Sequence, residues 1–457
     1  MSMPILPLTS ITFNIPGGGV QTITLASALP AITNPVFVDG TSQPGWTAGT
    51  PVIEINGTNA GASVDGISIA GGNTTVRGLV INRFSRHGIA LVQNGGDTIT
   101  ANFIGINAAG NAALGNGADG IFAGTANNTI GGAGAATRNI ISGNGSSGIE
   151  INGASSGGNV IEGNYIGLNA AGTAAIPNVG SGISVFAVTS DNTIGGTAAG
   201  AGNVISGNAG VGILIFGSGA NSNLVQGNLI GTNAAGTASV GNGQSGILLL
   251  NGTASNLIGG ETAAARNVIS GNQTFGVQIS DTGTNANLVE GNYIGTDVTG
   301  GTAIPNKSNG VEIQGGAQTN TVGGTSAGDG NVISGNTGAG VGFSDSATSS
   351  NLVYGNFIGT NAAGNSAVPN NIGVLFVNNS GGNVVGGPEP GAARNIISGN
   401  TTAGVSMNTV PGNVIAGNYI GTDITGTSAL SNNVGVFLGP NETLDSVIGG
   451  TAQERAM

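Results

Sequence analysis

A 64-residue period runs through most of the chain and constrains its fold more than any other feature of the sequence. The marker of the period is the second Gly of an Asn/Ser-x-Ile/Val-Gly-Gly element. This Gly recurs in steps of 64, 64, 64, 63 and 63 residues, at Gly132, Gly196, Gly260, Gly324, Gly387 and Gly450. Such a period is typical of stacked repeats, in which each repeat buries its apolar face against the next.

Each 64-residue unit contains two similar halves. The residue that opens each half recurs every 30 to 33 positions, at Asp97, Asn128, Asn159, Asn192, Asn223, Asn256, Asn287, Asn320, Asn351, Asn383 and Asn413. Each half holds three short β-branched runs separated by Gly and Asn, for example Thr193–Ile194, Val204–Ile205 and Ile213–Ile215. Short runs bounded by turn formers are typical of strands. We therefore expect each half to form one coil of three strands.

Stacked coils would place equivalent residues in columns. Parallel strands lie about 4.8 Å apart, so each strand pairs with its equivalent one coil before and one coil after. Ile and Val at inward positions would fill the core, and Asn repeated at the turns can bond its amide to the next Asn in its column. The sequence therefore predicts an all-β solenoid with asparagine ladders.

The repeat resembles that of a known structural superfamily. Its Asn-x-Ile-x-Gly-Asn and Gly-Ile-x-Ile elements resemble the right-handed parallel β-helix repeat of the pectate-lyase-like and bacterial surface β-helix proteins, which include polysaccharide lyases, sugar epimerases and phage tailspikes. The resemblance covers roughly residues 34–457. It implies an all-β, right-handed, single-stranded parallel β-helix with three short strands per coil, and about 13 coils in 64-residue double-coil units. It implies little about function, because one fold hosts many activities.

The two ends of the chain differ from the regular coils. Residues 1–33 depart from the repeat, and Ile11 to Ile15 alternates apolar and polar residues, so we expect an N-terminal capping segment there and a solenoid over 34–457. The C-terminal end shows no helix or polar cap. Terminal repeats normally need capping, so we expect a longer natural chain or end-to-end self-association.

Charge and composition exclude several classes of function. The chain has 8 basic and 20 acidic residues, and this balance argues against a nucleic-acid partner, which needs a basic patch. It has no cysteine, so disulfides and thiolate metal sites are excluded. No apolar run reaches the roughly 20 residues of a membrane span. The first residues show no basic region of a secretory signal.

A cluster of charged residues surrounds the shortest coil, residues 73–96. Arg77, Arg83, Arg86 and the single histidine, His87, fall within eleven residues. The resemblance implies that an enzyme of this superfamily would use a cation and a basic side chain on a uronate, so the candidate catalytic residues are Arg83, Arg86, His87, Asp65 and Asp97. The alternative is that these charges only solvate a coil that lacks covering loops.

Large apolar residues form a second candidate site. One position, between Asn and Ile of the Gly/Ala-Asn-x-Ile-Gly element, holds Phe103, Tyr165, Leu229, Tyr293, Phe357 and Tyr419. Strand alternation turns this position outward, so its aromatic members are candidate carbohydrate-binding residues about 9.6 Å apart on every second coil. The alternative is that the inserted loops flanking this column cover it as a satellite core.

A repeated turn is the only candidate for a metal ligand. The turn Gly-Thr/Leu-Asn/Asp-x-x-Gly places Asn or Asp at Asn169, Asn233, Asp297, Asn361 and Asp423. Calcium takes oxygen ligands of this kind, but Asn outnumbers Asp and an Asx turn explains both residues. We therefore predict no cofactor and no metal, with calcium at these turns as the alternative.

Two functions remain. The leading hypothesis is an extracellular or cell-surface rigid β-helical scaffold, adhesin-like, with polysaccharide as its candidate partner, because few charged residues interrupt the repeat after residue 97. The rival hypothesis is a polysaccharide lyase, epimerase or glycoside hydrolase that acts on a polymer bound along the β-helix face.

Overall fold

A computed structural model describes residues 9–154, 156–186, 189–387, 393–439 and 445–449. The chain divides into two compact units. Unit 1 comprises residues 1–203 and 207–209, and unit 2 comprises residues 204–206 and 210–457. Among the described residues, no helix has the length and apolar content to cross a membrane.

Short strands make up nearly all of the regular structure. Apart from one 3₁₀ turn at Gly40–Ser42, the elements described in unit 1 are β1 (Thr9–Thr12), β2 (Gln21–Thr24), β3 (Val36–Asp39), β4 (Ile53–Asn56), β5 (Ile67–Ile69), β6 (Thr75–Arg77), β7 (Leu79–Asn82), β8 (Ile89–Leu91), β9 (Thr98–Thr100), β10 (Phe103–Ile104), β11 (Ile121–Ala123), β12 (Thr129–Gly131), β13 (Ile140–Ile141), β14 (Ile149–Ile151), β15 (Val160–Glu162), β16 (Tyr165–Ile166), β17 (Ile183–Phe186) and β18 (Thr193–Gly195). In unit 2 they are β19 (Val204–Ile205), β20 (Ile213–Phe216), β21 (Leu224–Gln226), β22 (Leu229–Ile230), β23 (Ile247–Leu250), β24 (Leu257–Gly259), β25 (Val268–Ile269), β26 (Val277–Ser280), β27 (Leu288–Glu290), β28 (Tyr293–Ile294), β29 (Val311–Gln314), β30 (Thr321–Gly323), β31 (Val332–Ile333), β32 (Ala339–Phe343), β33 (Leu352–Tyr354), β34 (Phe357–Ile358), β35 (Ile372–Phe376), β36 (Val384–Val385), β37 (Ile396–Ile397), β38 (Ala403–Met407), β39 (Val414–Ile415), β40 (Tyr419–Ile420), β41 (Val434–Leu438) and β42 (Val447–Ile448).

These strands form three parallel sheets, to which each coil contributes one strand apiece. In unit 1, sheet A has the order β1-β3-β6-β9-β12-β15-β18, sheet B β2-β4-β7-β10-β13-β16 and sheet C β5-β8-β11-β14-β17. In unit 2, each sheet takes every third strand in chain order. Sheet A begins at β21 and ends at β42, sheet B begins at β19 and ends at β40, and sheet C begins at β20 and ends at β41. Pairing is in register; Ile130, for example, pairs with Ile99 and with Ile161. The predicted fold class, a parallel β-helix with three strands per coil, is confirmed.

The core of each unit is filled by columns of β-branched residues. Ile99, Ile130 and Ile161 in unit 1 are fully buried, and so are Ile258 and Val289 in unit 2. Val and Ile suit these positions because strands lock the χ1 angle of a branched side chain and stack it on its neighbours. Burial of a side chain of this size stabilises the fold by roughly 1.5–3 kcal/mol.

Asparagine ladders run along all three corners of the coils, which confirms the predicted ladder. In unit 1 the Asn side chains at these corners are buried, at Asn128, Asn159, Asn192, Asn102, Asn139, Asn164, Asn203, Asn116, Asn144, Asn178 and Asn208. Among its described residues, unit 2 has seven asparagine rungs at each corner. Those of the first corner are Asn223, Asn256, Asn287, Asn320, Asn351, Asn383 and Asn413.

One rung shows how the ladder satisfies a buried amide. Asn139 Oδ1 accepts hydrogen bonds from the backbone N of Asn102 at 2.9 Å and from its Nδ2 at 3.2 Å. Asn139 Nδ2 donates to Ile99 O at 2.7 Å and to Asn164 Oδ1 at 2.9 Å. An Asn at each corner therefore joins three successive coils, which explains why this residue recurs with the period of the coil.

The segment assigned to the N-terminal cap contributes strands to two of the sheets. Strand β1 pairs with β3 in sheet A, and β2 pairs with β4 in sheet B. Ile32 forms a parallel bridge with Ile69 of β5. Residues 9–34 thus form one further turn on the first complete coil, with most of its side chains exposed.

Candidate functional site

The arginines of the charged cluster each face an acidic residue. The guanidinium of Arg77 pairs with Asp39 at 2.8 Å, Arg83 with Glu54 at 3.5 Å and Arg86 with Asp65 at 3.3 Å. The hydrogen bonds from the Arg77 guanidinium lower the pKa of Asp39, although burial acts in the opposite direction. All three arginine side chains are more than a third exposed, so each pair contributes about 0–1 kcal/mol to stability.

His87 is the centre of a second group of titratable residues in unit 1. Its Nδ1 lies 3.1 Å from Asp119 Oδ2 and 3.3 Å from Asp119 N, so the protonated ring pairs with the carboxylate and the neutral ring accepts from the amide. The ring stacks on Phe122 at 5.1 Å. Phe122 pairs with Glu150 in sheet C, and burial raises the pKa of that carboxyl. His87 itself is only 7% exposed.

The structure brings three of the five candidate catalytic residues together. Asp65 receives both the Arg86 guanidinium and the backbone N–H of His87, the latter at 3.2 Å. Arg83 instead forms an ion pair with Glu54, away from this group. Asp97 is fully buried at the corner that precedes sheet A, where it occupies the place of a ladder asparagine.

Asp97 is an imperfect rung of that ladder. Its Oδ1 accepts from Thr74 N at 2.9 Å, and its backbone N donates to Asn128 Oδ1 at 3.0 Å. Its Oδ2, where an asparagine would carry a donor, is buried without a hydrogen-bond partner. Burial raises the pKa of Asp97 in spite of the Thr74 hydrogen bond.

The aromatic column is covered to different degrees along the chain. Phe103 is 2% exposed and packs in a satellite core with Val80, Ile106, Ile140 and Ile176. It therefore has no surface to offer a sugar. The other aromatic members, Tyr165, Tyr293, Phe357 and Tyr419, are half-buried.

Arginines cover the three tyrosines of the column. The guanidinium carbons of Arg138, Arg266 and Arg394 lie 4.0–4.1 Å from the ring centroids of Tyr165, Tyr293 and Tyr419 respectively. In each pair Arg Nε also donates to a glycine carbonyl, for example Arg266 to Gly291 O at 3.1 Å. These arginines recur every 128 residues, and the position between Arg266 and Arg394 holds Gly330. No guanidinium from that position covers Phe357.

A cleft of about 250 Å³ opens at this point in unit 2. Its floor is Val332, which pairs with both Tyr293 and Phe357, so the strands that carry the two rings lie about 9.6 Å apart on either side of it. We call it the Tyr293–Phe357 cleft. Its lining combines the two rings with a cation and small loop residues: Arg266, Tyr293, Gly324, Ser326, Gly328, Gly330, Val332, Gly355, Phe357 and Ala362.

Three carboxyl groups lie next to this cleft. Glu290 ends β27 and is buried, and burial first, then the charges of Asp329 and Glu261, raise its pKa to about 7. Asp329 is also buried; its Oδ2 accepts from Ser326 N at 2.7 Å, and its Oδ1 has no hydrogen-bond partner. The segment 324–330 that carries Asp329 forms one wall of the cleft.

The repeated Asn/Asp turns use their side chains as turn caps. Asp297 Oδ1 accepts from Thr299 Oγ1 at 2.7 Å and from the backbone N of Thr299, Gly301 and Thr302. Against the effect of burial, these hydrogen bonds lower the pKa of Asp297. Asn169, Asn233, Asn361 and Asp423 make equivalent bonds. Within the described ranges, no group of three or more His, Asp or Glu residues has the arrangement of a metal site.

A larger cavity, about 460 Å³, lies at the first strands of unit 1. Apolar side chains such as Phe13, Ile23, Leu25 and Val38 line most of it. A ligand site needs a few placed polar groups to orient its occupant. This cavity offers almost none, so we do not treat it as a functional site.

The motifs of the repeat did not reveal the Tyr293–Phe357 cleft or the carboxyl groups behind it. A signal was present: the residues 128 positions before Glu261 and Asp329 are Ala133 and Ala201, so two acids appear where the earlier copy has alanine. Gly330 in place of an arginine was a second signal. Both required a comparison of the copies position by position.

No protein-family model matches the chain, and no curated protein is detectably similar in sequence. Among solved structures, the A-module of the Azotobacter vinelandii mannuronan C-5 epimerase AlgE6 is similar with a TM-score of 0.39 and 15% identity, over 94% of this chain and 91% of that one. A mutant tailspike protein of E. coli bacteriophage HK620, in complex with a pentasaccharide, is similar with a TM-score of 0.28 and 15% identity, over 97% of this chain and 73% of that one. PfbA, a surface adhesin of Streptococcus pneumoniae, is similar with a TM-score of 0.21 and 12% identity, over 83% of each chain. These are the kinds of protein that the repeat resembles, and TM-scores this low carry no argument about what this chain binds.

Proposed function

We propose that the protein is an extracellular or cell-surface β-helical scaffold that binds carbohydrate in the Tyr293–Phe357 cleft. The observation that carries the proposal is the cleft itself. Its lining contains two aromatic rings on alternate coils, the guanidinium of Arg266 and the glycine-rich segment 324–330. Aromatic faces pack on apolar surfaces, while the tyrosine hydroxyl and the arginine supply polar contacts at the same site. The ladder-stabilised coils supply rigidity.

The dimensions of the cleft support a small occupant. Its volume of about 250 Å³ is below the roughly 300–1,000 Å³ of pockets for drug-sized ligands. The volume of one sugar unit is of the same order as the volume of the cleft. The rest of the glycan chain would pass over the exposed loops. The backbone of the glycine-rich segment 324–330 brings hydrogen-bonding groups close to such an occupant, since glycine adds no side chain.

The experiment is a glycan array probed with the wild-type protein and three variants. Phe357→Ala removes one wall of the cleft, and Ser326→Trp fills it from the exposed loop. Ala198→Trp is the matched control, because Ala198 occupies the same loop position in unit 1. We expect binding to fall at least tenfold in the first two variants and to persist in the control.

Two results would count against the proposal. One is a folded wild-type protein that binds no glycan on the array. The other is a glycan that Phe357→Ala and Ser326→Trp bind as well as the wild type does. Circular dichroism of each variant checks that the coils remain folded.

A second candidate function is cleavage or epimerisation of a polysaccharide at His87. The observation in its favour is the His87–Asp119 contact, because a carboxylate that holds one ring nitrogen orients the other for proton transfer. The burial of His87 favours the scaffold instead. An assay for unsaturated uronate and for reducing ends, with His87→Ala and Asp119→Asn as variants, tests this function; activity that both variants lose would establish it.

A further inference from the structure

Glu290 is the inner member of the three carboxyl groups behind the cleft. Its neighbour on β24 is Gly259, with which it pairs, and on β30 the corresponding residue is Gly323, which follows the paired Val322. Neither flanking strand therefore places a side chain against Glu290. The groups that face it come from loops instead: Glu261 from the loop after β24 and Asp329 from the loop before β31.

Two of these three acids are additions to the repeat. The residues 128 positions earlier are Ala133, Glu162 and Ala201, so unit 1 has the central glutamate without its two acidic neighbours. The alanine at position 201 is buried as Asp329 is. The backbone contact is also the same in both copies: Gly163 N donates to Ala201 O, and Gly291 N donates to Asp329 O, each at 2.8 Å. Unit 1 is therefore an internal control that lacks the extra charges.

The charges act on a group that lies out of water. Glu290 is 7% exposed and Asp329 is 6% exposed, whereas Glu261 is exposed. The influences on Glu290, from burial and from both acids, all favour its protonated form. The cation in the lining of the cleft, Arg266, donates its Nε to Gly291 O and stacks on Tyr293. Like charges in a low-dielectric site repel strongly, so the fully ionised group strains the packing of this loop.

The same loop is a wall of the cleft. Gly324, Ser326, Gly328 and Gly330 line the cleft, while the side chain of Asp329 turns back to the Ser326 N–H. The loop rests on the backbone of the matching loop two coils earlier, because a Cβ at Gly328 would collide with Glu261 O. A change in the charge behind the loop therefore bears directly on the shape of the cleft in front of it.

We propose that Glu290 is a proton-operated control of the Tyr293–Phe357 cleft. With Glu290 protonated, the 324–330 loop packs as the wall of the cleft; with Glu290 ionised, repulsion from Asp329 loosens the loop and weakens binding of the occupant. The inference rests on the proposed function for the identity of that occupant, carbohydrate. It adds the regulation of the site.

The direction of the pH dependence follows from linkage. A carboxyl whose pKa is raised in the packed state binds its proton more tightly there than in the loosened state. The packed loop is therefore favoured at acid pH and loses stability as the pH rises through the raised pKa, about 7. Affinity therefore falls by up to about tenfold for each pH unit between the ordinary carboxyl pKa of 4.5 and the raised value, and the loss levels off above it.

The first experiment follows the loop without any ligand. Hydrogen–deuterium exchange of the full chain is measured at pH 6 and pH 8, and exchange in residues 324–330 is normalised to the matching loop, residues 196–202, which removes the intrinsic pH dependence of exchange. We expect about a tenfold rise in the normalised exchange in the wild type. Glu290→Gln should abolish this rise, and the matched control Glu162→Gln should keep it.

The second experiment repeats the glycan array at pH 6 and pH 8. We expect the signal of the wild type to be about tenfold weaker at pH 8 and that of Glu290→Gln to be equal at both. Normalised exchange that does not change with pH in the wild type, or changes equally in Glu290→Gln, would overturn the inference. Loop exchange that responds to pH, with no glycan bound at either pH, would instead overturn the proposed function and leave the proton-operated loop standing.

Discussion

The asparagine ladder yields a prediction about stability that the geometry of one rung makes quantitative. Asn139 lies at a corner of unit 1 and is fully buried. The substitution Asn139→Ala removes its amide while the backbone N–H of residue 139 can still donate to Asn164 Oδ1. All hydrogen bonds of the Asn139 side chain are lost.

Four hydrogen bonds are at stake. The backbone N and the Nδ2 of Asn102 lose an acceptor, and Ile99 O and Asn164 Oδ1 lose a donor. Each bond contributes about 1 kcal/mol net, and a buried group left unpaired costs more than that. The expected loss in the free energy of unfolding is therefore about 4 kcal/mol, with little contribution from volume because alanine leaves only a small space.

The assay is equilibrium urea unfolding of the full chain followed by far-ultraviolet circular dichroism. The control is Asn152→Ala in the same unit, because Asn152 is exposed and its side chain donates to the neighbouring Glu150 Oε1 instead of to a ladder rung. The control should lie within about 0.5 kcal/mol of the wild type. A loss below about 1 kcal/mol for Asn139→Ala would refute the view that the ladder bonds hold the coils together.

Three further predictions concern other residues. Asp97→Asn should raise the free energy of unfolding by about 1 kcal/mol at pH 7, because the buried Oδ2 of Asp97 has no hydrogen-bond partner and burial raises the pKa of the carboxyl. The gain should shrink as the pH falls below the ordinary aspartate pKa of 3.8, where the folded and unfolded carboxyls are both protonated, and an equal gain at pH 7 and in that acid range would contradict the account. Phe103→Ala should destabilise unit 1 by about 3–5 kcal/mol, measured by urea unfolding, while Phe357→Ala, at a half-buried position, should cost clearly less. Arg394→Ala should cost only about 0.5–1 kcal/mol, the usual strength of an exposed cation–π contact; a larger loss in the same assay would show that Arg394 braces its loop.

The fold could be predicted from the sequence because its determinants are local and repeated. Three β-branched runs per coil, each bounded by Gly or Asn, leave no room for a helix, and the constant period fixes which strands become neighbours. The asparagine ladders follow from the same period. The sequence could not show that all three corners carry a ladder, since only the observed pairing tells which Asn of one coil meets which Asn of the next.

The candidate sites were harder to predict because they depend on departures from the repeat. The charged cluster was visible as a departure in composition, and the structure pairs its arginines with acids. In unit 2, whether a guanidinium covers an outward ring depends on one residue in the preceding loop, an arginine before Tyr293 and glycine before Phe357. The raised pKa of Glu290 depends on burial beneath loops, which no pattern of alternation reveals.

The most direct measurement of the central claim is a crystal structure of the protein with the best glycan from the array. The account predicts a sugar ring between Tyr293 and Phe357, over Val332 and within reach of Arg266. A glycan bound elsewhere, for example against His87 and Asp119, with the Tyr293–Phe357 cleft unoccupied at saturating glycan, would contradict it and would favour the enzymatic function.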